Sequence, residues 1–122
     1  AMKQGFKPNV ISTDLHTGSM NGGMKNINNV MSKFLNMGLS IQEVIAATTS
    51  KPAHYIQRKD LGHLSIGAVA DVTLLNLRKG DFGFIDTRGK KMKGNQKLEC
   101  EVTLREGNVV YDLNGLASSD WK

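Results

Sequence analysis

Apolar side chains recur at two different spacings along this 122-residue chain, and the spacing changes near residue 60. In the first half, Ile27, Val30, Met31, Phe34 and Leu35 fall at i, i+3, i+4, i+7 and i+8, the single stripe of an amphipathic helix. Asn26 or Asn28 offers a side-chain oxygen to cap its start, and Gly38 ends it. A second helix opens at Ser40-Ile41-Gln42-Glu43, a capping box in which Ser40 and Glu43 satisfy each other's backbone donors. Leu39 is placed to staple onto Val44, and Val44, Ile45 and Thr48 continue the buried face. Pro52 suits the first turn of a third short helix reaching about Gln57. Ahead of these helices, Val10-Ile11-Ser12-Thr13 is a β-branched run that predicts a short buried strand, and residues 17–26, with Gly18, Gly22 and Gly23, read as a loop.

From residue 61 the period becomes two. Leu64–Gly67 is a turn-bounded segment, Val69–Leu77 predicts one strand, and Phe82–Ile85 predicts another. Leu98, Cys100, Val102 and Leu104 alternate with Glu99, Glu101, Thr103 and Arg105, the pattern of a half-buried strand. Glu106-Gly107-Asn108 makes a turn, and Val109-Val110-Tyr111 returns as the hairpin partner. A polar tail follows, in which Trp121 is the one large anchor. The expected organisation is therefore a strand plus helices over 1–60, a small antiparallel sheet over 61–115, and a tail over 116–122.

Length narrows what such a chain is able to be. A complete (β/α)8 barrel needs roughly 200 residues or more, so the strand and helices of the first half read as the closing piece of something larger. No apolar run approaches the ~18 residues of a membrane span, so no membrane partner is expected. Ala1 ahead of Met2 reads as a cloning remnant. A lone cysteine, Cys100, has no partner in the chain, which suits a reducing cytoplasm. The net charge of +5 is mild, but Arg88, Lys90, Lys91, Lys93 and Lys97 crowd into residues 88–97 around Gly89 and Gly94. No aromatic interrupts that run to stack on bases, so a solvated hairpin loop is the stronger reading and nucleic acid is not an expected partner.

Few residues carry chemistry. Asp14 ends the first predicted strand, and a carboxylate there either orders the loop or faces an active-site mouth, where it binds a metal or accepts a proton. His16 lies two residues on, so the two side chains project the same way from an extended segment; two donors are fewer than a metal site requires. His54 and His63 lack ligand spacing and read as surface or internally satisfied groups. Cys100, among alternating apolar residues, reads as a small core side chain. Ser19 and Ser32 lack a nucleophile-elbow setting, and Gly18, Gly22 and Gly23 lack the spacing of a phosphate loop.

The order of motifs goes further than any single residue. Ser12-Thr13-Asp14-Leu15-His16, then Met31-Ser32-Lys33-Phe34-Leu35-Asn36-Met37-Gly38, then Glu43–Thr49 and Pro52-Ala53, resembles the end of an amidohydrolase-superfamily protein. Leu61-Gly62-His63-Leu64, Gly67 and Ala70-Asp71 resemble that family's entry into its small β-domain. The likeness spans roughly residues 9–112 and is nearest to dihydroorotase-like and deacetylase-like hydrolases. It implies an α/β fragment: the last strand and helices of a metal-dependent (β/α)8 hydrolase barrel, followed by part of a small antiparallel β-sandwich. It further implies that Asp14 is the catalytic carboxylate and metal contact of the intact enzyme, and that His16, Gly22 and Gly23 line the mouth for a small-molecule substrate. Asp71 would be structural. Zinc or another divalent ion would be bound only in the longer parent, because the family's other metal ligands have no counterpart here. Hydrolysis of carbon–nitrogen bonds by the parent, with the isolated chain inactive, is the first functional expectation. A non-catalytic binding or assembly module using the sheet and its basic loop is the alternative. In either case the stripe Ile27–Leu35 is expected to be exposed in the isolated chain, and a homo-oligomer is expected through strand addition or exchange of the helical arm.

Overall fold

A computed structural model describes residues 2–17 and 25–120. After a 3-10 turn at Met2–Gln4 come helices α1 (Ile27–Asn36), α2 (Ile41–Thr48) and α3 (Ser50–Tyr55). Strands β1 (Val72–Ile85), β2 (Lys91–Arg105) and β3 (Asn108–Asp112) follow and form one antiparallel sheet in the order β1-β2-β3. The chain is thus α/β, as the change of period predicts.

The helix starts follow their local chemistry. Asn26, not Asn28, caps α1: its Oδ1 accepts from Asn29 N at 2.9 Å. The capping box of α2 forms, with Glu43 N donating to Ser40 Oγ at 3.2 Å and Ser40 N donating to Glu43 Oε2 at 2.8 Å. Lys7 Nζ reaches the other Glu43 oxygen at 2.7 Å. The Lys7 hydrogen bond, aided by the Ser40 backbone donor, pulls the Glu43 carboxyl down to about 2. Because the folded value is depressed, this contact stabilises the fold above the ordinary carboxylate range. Its contribution is lost as pH falls from about 4.5 toward 2. An NMR titration of the Glu43 carboxyl should give that low midpoint, and Glu43→Gln should flatten the acid dependence of stability; a midpoint near the ordinary value would show that the box is open in solution.

The expected strand at Val10–Thr13 does not form. Ladder hydrogen bonds require a neighbouring strand, and this segment lies instead beside α2, where Ile11 N donates to Ala47 O at 2.9 Å. The face of α2 is also shifted: Val44 and Ala47 are buried, whereas Ile45 is exposed and Thr48 half-buried. The two strands expected at Val69–Leu77 and Phe82–Ile85 are one, β1, which starts later, at Val72, and keeps its partner across an irregularity between Lys79 and Phe82. A bulge lets one strand carry extra residues without ending the ladder. For the same reason most of the expected basic loop is strand: Lys91, Lys93 and Lys97 belong to β2. The turn itself is held by Asp86 Oδ1, which accepts from Arg88 N and Lys90 N at 2.8 Å each.

One apolar cluster joins the two halves of the chain. Val30, Met31 and Leu35 of α1 meet Leu39, Val44 and Ala47, Ile11, and Leu98 of β2, with Leu75 packed alongside. The helical stripe is therefore not exposed as expected. The chain's own sheet supplies the surface that buries it, and only Ile27, at the end of the stripe, is left 38% exposed.

How α1 seats on β2 decides the register of that core. The ladder with β3 covers only Val102–Arg105 of β2, so the rest of that edge needs other partners for its backbone groups. Leu98 N donates to Ser32 Oγ at 2.9 Å, Asn95 N donates to Asn36 Oδ1 at 3.0 Å, and Asn36 Nδ2 donates to Gln96 O at 2.8 Å. A side chain at Gly94 would overlap Asn36, since its Cβ would come within 2.7 Å of all three terminal atoms of that amide. Asn36→Ala removes both partners of β2 at this point and is expected to cost about 2 kcal/mol, at roughly 1 kcal/mol per lost hydrogen bond. Urea denaturation measures it; an unchanged midpoint would mean that water replaces the amide without cost.

Among the described residues no helix is long and apolar enough to cross a membrane.

Candidate functional site

Asp14 and His16 lie on the exposed segment that follows buried Ile11. The Ile11–Ala47 hydrogen bond ties the start of this segment to α2. Four residues after Ile11, Leu15 N donates to Thr13 Oγ1 at 3.1 Å, closing a small side-chain turn around Asp14. That turn holds Asp14 at φ 49°, in the left-handed region that Asp and Asn enter more readily than other non-glycine residues. Both Asp14 and His16 are solvent-accessible. Gly22 and Gly23, expected beside them, lie outside the described residues, as do Ser19 and Trp121. The turn at Thr13 is legible only afterwards: a Thr directly before an Asp at a strand-like end is its one signal.

No other titratable side chain joins this pair into a metal-holding group: among the described residues no cluster of three or more His, Cys, Asp or Glu forms. Asp14 and His16 together give two donors where a catalytic zinc site takes three from protein. A divalent ion therefore does not fit the described residues on their own.

The remaining candidates settle into structural roles. His63 accepts from Ser65 N at Nδ1 (3.4 Å), so its Nε2 carries the proton that meets Lys59 O at 3.0 Å. Asp71 Oδ1 accepts from Glu106 N at 2.8 Å, and Gly107 N donates to Ala70 O at 2.9 Å; Asp71 thereby ties the entry of β1 to the β2–β3 turn. Ser32 is fully buried on the edge of β2, where its Oγ also donates to Asn28 O at 2.6 Å. Cys100 is half-buried with its Sγ 3.3 Å from Thr103 Oγ1. His54 is exposed on α3 beside Asn9 and Tyr55, along a shallow surface depression.

A larger groove of about 570 Å³ opens between the helices and the sheet, lined by Met31, Ile45, Leu61, Val69, Leu75 and Cys100 among others. Asp14 and His16 are not among its lining residues. Several of its polar members are turned to internal bonds: Thr48 and Thr49 hydroxyls both donate to Ile45 O, and Asp60 pairs with Arg58 at 2.9 Å. The arrangement is a largely apolar wedge between two layers, separate from the segment that carries Asp14 and His16.

Comparison with known proteins fits this architecture. The chain matches the amidohydrolase family over residues 7–111. It is 35% identical over 99 residues to a deacetylase of Brucella anthropi, a match covering 81% of this chain and 25% of that protein. It is 33% identical over 85 residues to a dihydroorotase of Methanopyrus kandleri, covering 62% of this chain and 19% of that one. The crystal structure of an adenine deaminase superposes with a TM-score of 0.84 at 26% identity, over 91% of this chain and 30% of that chain. A dihydroorotase structure gives 0.82 at 28% identity with the same coverage. This chain thus corresponds to less than a third of each relative's length, and the match takes in the exposed Asp14 segment, the helices and the sheet alike. On this shared sequence and fold, the chain belongs to the amidohydrolase family.

Proposed function

We propose that this chain is the C-terminal part of a metal-dependent amidohydrolase that hydrolyses carbon–nitrogen bonds in small molecules: non-peptide amides, cyclic amides or N-acyl groups. The family match over residues 7–111 carries this reading, and relatives that are a deacetylase, a dihydroorotase and an adenine deaminase point to the same class of bond. Asp14 is the residue to which the chemistry is assigned. Its carboxylate accepts the proton of the attacking water and passes it to the leaving nitrogen as the carbon–nitrogen bond breaks. His16, with Gly22 and Gly23, borders the substrate. Zinc or another divalent ion would take its remaining ligands from the rest of a longer polypeptide, with Asp14 the carboxylate contributed from here. A cytoplasmic setting accords with the lone Cys100.

The test compares the 122-residue chain with a longer polypeptide that contains it. N-acyl amino acids, cyclic imides and aminopurines are offered to both, and amine, acid or ammonia release is followed. The longer polypeptide is expected to turn over one of these classes and the chain alone none. Turnover by the chain alone, or of none of the three classes by the longer polypeptide, would overturn the assignment.

A further inference from the structure

Among the described residues, four that are not glycine hold a positive φ: Asp14 (49°), Lys25 (39°), Gln57 (59°) and Glu106 (50°). Three stand where an element begins or ends. Lys25 precedes the cap of α1, Gln57 follows α3, and Glu106 lies in the β2–β3 turn. Asp14 stands within residues 10–16, which form neither helix nor strand, so no element boundary demands its conformation. Left-handed backbone is disfavoured for a residue with a β-carbon and persists only where its surroundings fix it.

The hydrogen bond from Leu15 N to Thr13 Oγ1 does the fixing. The ring that it closes contains both φ and ψ of Asp14, the two soft backbone torsions of that residue. Those torsions set the direction of the Asp14 Cα–Cβ bond. Thr13 is half-buried, whereas Asp14 is exposed. Ile11, two residues earlier, is held in the core by its side chain and tied to α2 by its amide. The turn is thus built on a fixed base and presents the carboxylate outward. We propose that Thr13 is a positioning residue for Asp14, its hydroxyl locking the backbone attitude from which the carboxylate meets the attacking water. Relaxation of Asp14 into the extended region would turn its Cα–Cβ bond away from that attitude, and a small misplacement of a reacting group is costly in rate. The proposal rests on the reading of Asp14 as proton acceptor and adds the group that orients it.

The test uses a longer polypeptide with measurable turnover for kinetics and the 122-residue chain for the turn itself. Thr13→Val nearly keeps the side-chain shape and removes the hydrogen-bond acceptor. It should lower kcat about tenfold, with KM changed by less than about twofold. Thr13→Ser, which keeps the acceptor, should restore most of kcat. Added to Asp14→Asn, Thr13→Val should cost no further kcat, because its effect passes through that carboxylate. In the 122-residue chain, exchange of the Leu15 amide hydrogen should quicken in Thr13→Val but not in Thr13→Ser, with the circular dichroism spectrum unchanged in both. Thr13→Ala repeats every measurement should Thr13→Val fail to fold. Parent-like kcat in Thr13→Val beside an impaired Asp14→Asn overturns this proposal alone. Parent-like kcat in Asp14→Asn overturns the role of Asp14 and this proposal with it. Losses that add in the double variant, or a Thr13→Ser variant no better than Thr13→Val, would make Thr13 merely structural and overturn the proposal as well.

Discussion

Asp14→Asn, in a longer polypeptide that turns over a carbon–nitrogen substrate, is expected to lower kcat by about 100-fold, or about 2.7 kcal/mol of barrier. The substitution is nearly isosteric, and Asn tolerates the left-handed backbone that Asp14 occupies at φ 49°. The Thr13 turn and the Ile11–Ala47 anchor are made by groups other than the Asp14 side chain. What is removed is the proton acceptor of the proposed reaction, and on that proposal KM should change much less than kcat. Steady-state kinetics, with circular dichroism to confirm the fold, decides the matter. A variant within a few-fold of the parent would make Asp14 a loop residue and move the chemistry outside this chain.

Gly62→Ala is expected to destabilise the fold by about 3 kcal/mol and to lower the thermal midpoint by about 10 °C or more. Two effects add. Gly62 sits at φ 79°, where a β-carbon costs roughly 1–2 kcal/mol. That carbon would also stand 2.6 Å from Thr49 O and 2.8 Å from Thr49 C, with Ser50 Cα at 3.0 Å. These are backbone atoms at the junction of α2 and α3, so no side chain is able to swing away, and the loop from Asp60 to Leu64 must lift off the helices. Gly115→Ala is the matched control: φ is 69° and nothing lies within 4 Å of the added carbon, so only the conformational cost of about 1 kcal/mol remains. Equal losses in the two variants, measured by urea denaturation, would show that the close approach to Thr49 does not matter.

The parts of the fold that were legible are those whose cause is local. The stripe from Ile27 to Leu35 and the Ser40–Glu43 box each carry their signal within a few residues, and both helices form where expected. The alternation from Leu98 to Leu104 marked β2, and Glu106–Asn108 marked the turn to β3. The strand at Val10–Thr13 failed because a strand is a pairwise object, and its β-branched residues do not reveal whether a partner is at hand. The basic run around Gly89 and Gly94 reads as a solvated loop because a charge run without aromatics carries no local sign of strand pairing. Gly94 in fact makes room for the Asn36 amide within a strand, a reason that lies about sixty residues away in sequence. The candidate site was legible only in part. Asp14 and His16 stand out as chemical types, and the structure places them on an exposed segment rather than at the end of a strand, but nothing local shows what else would complete them.

By itself the sequence determined the helix and strand periods, the caps, the β2–β3 turn and the family, since each rests on short-range spacing or on an ordered series of motifs. Only the tertiary structure decided that the α1 stripe is buried on the chain's own sheet, that Ser32 and Asn36 seal the open edge of β2, and that Asp71 serves the turn at Glu106. It also separated the apolar groove from the Asp14 segment. These outcomes depend on which backbone donors and apolar faces are left over once the local elements have formed. Hydrogen bonds and burial between residues 35 to 66 positions apart settle them, and no local pattern carries that information.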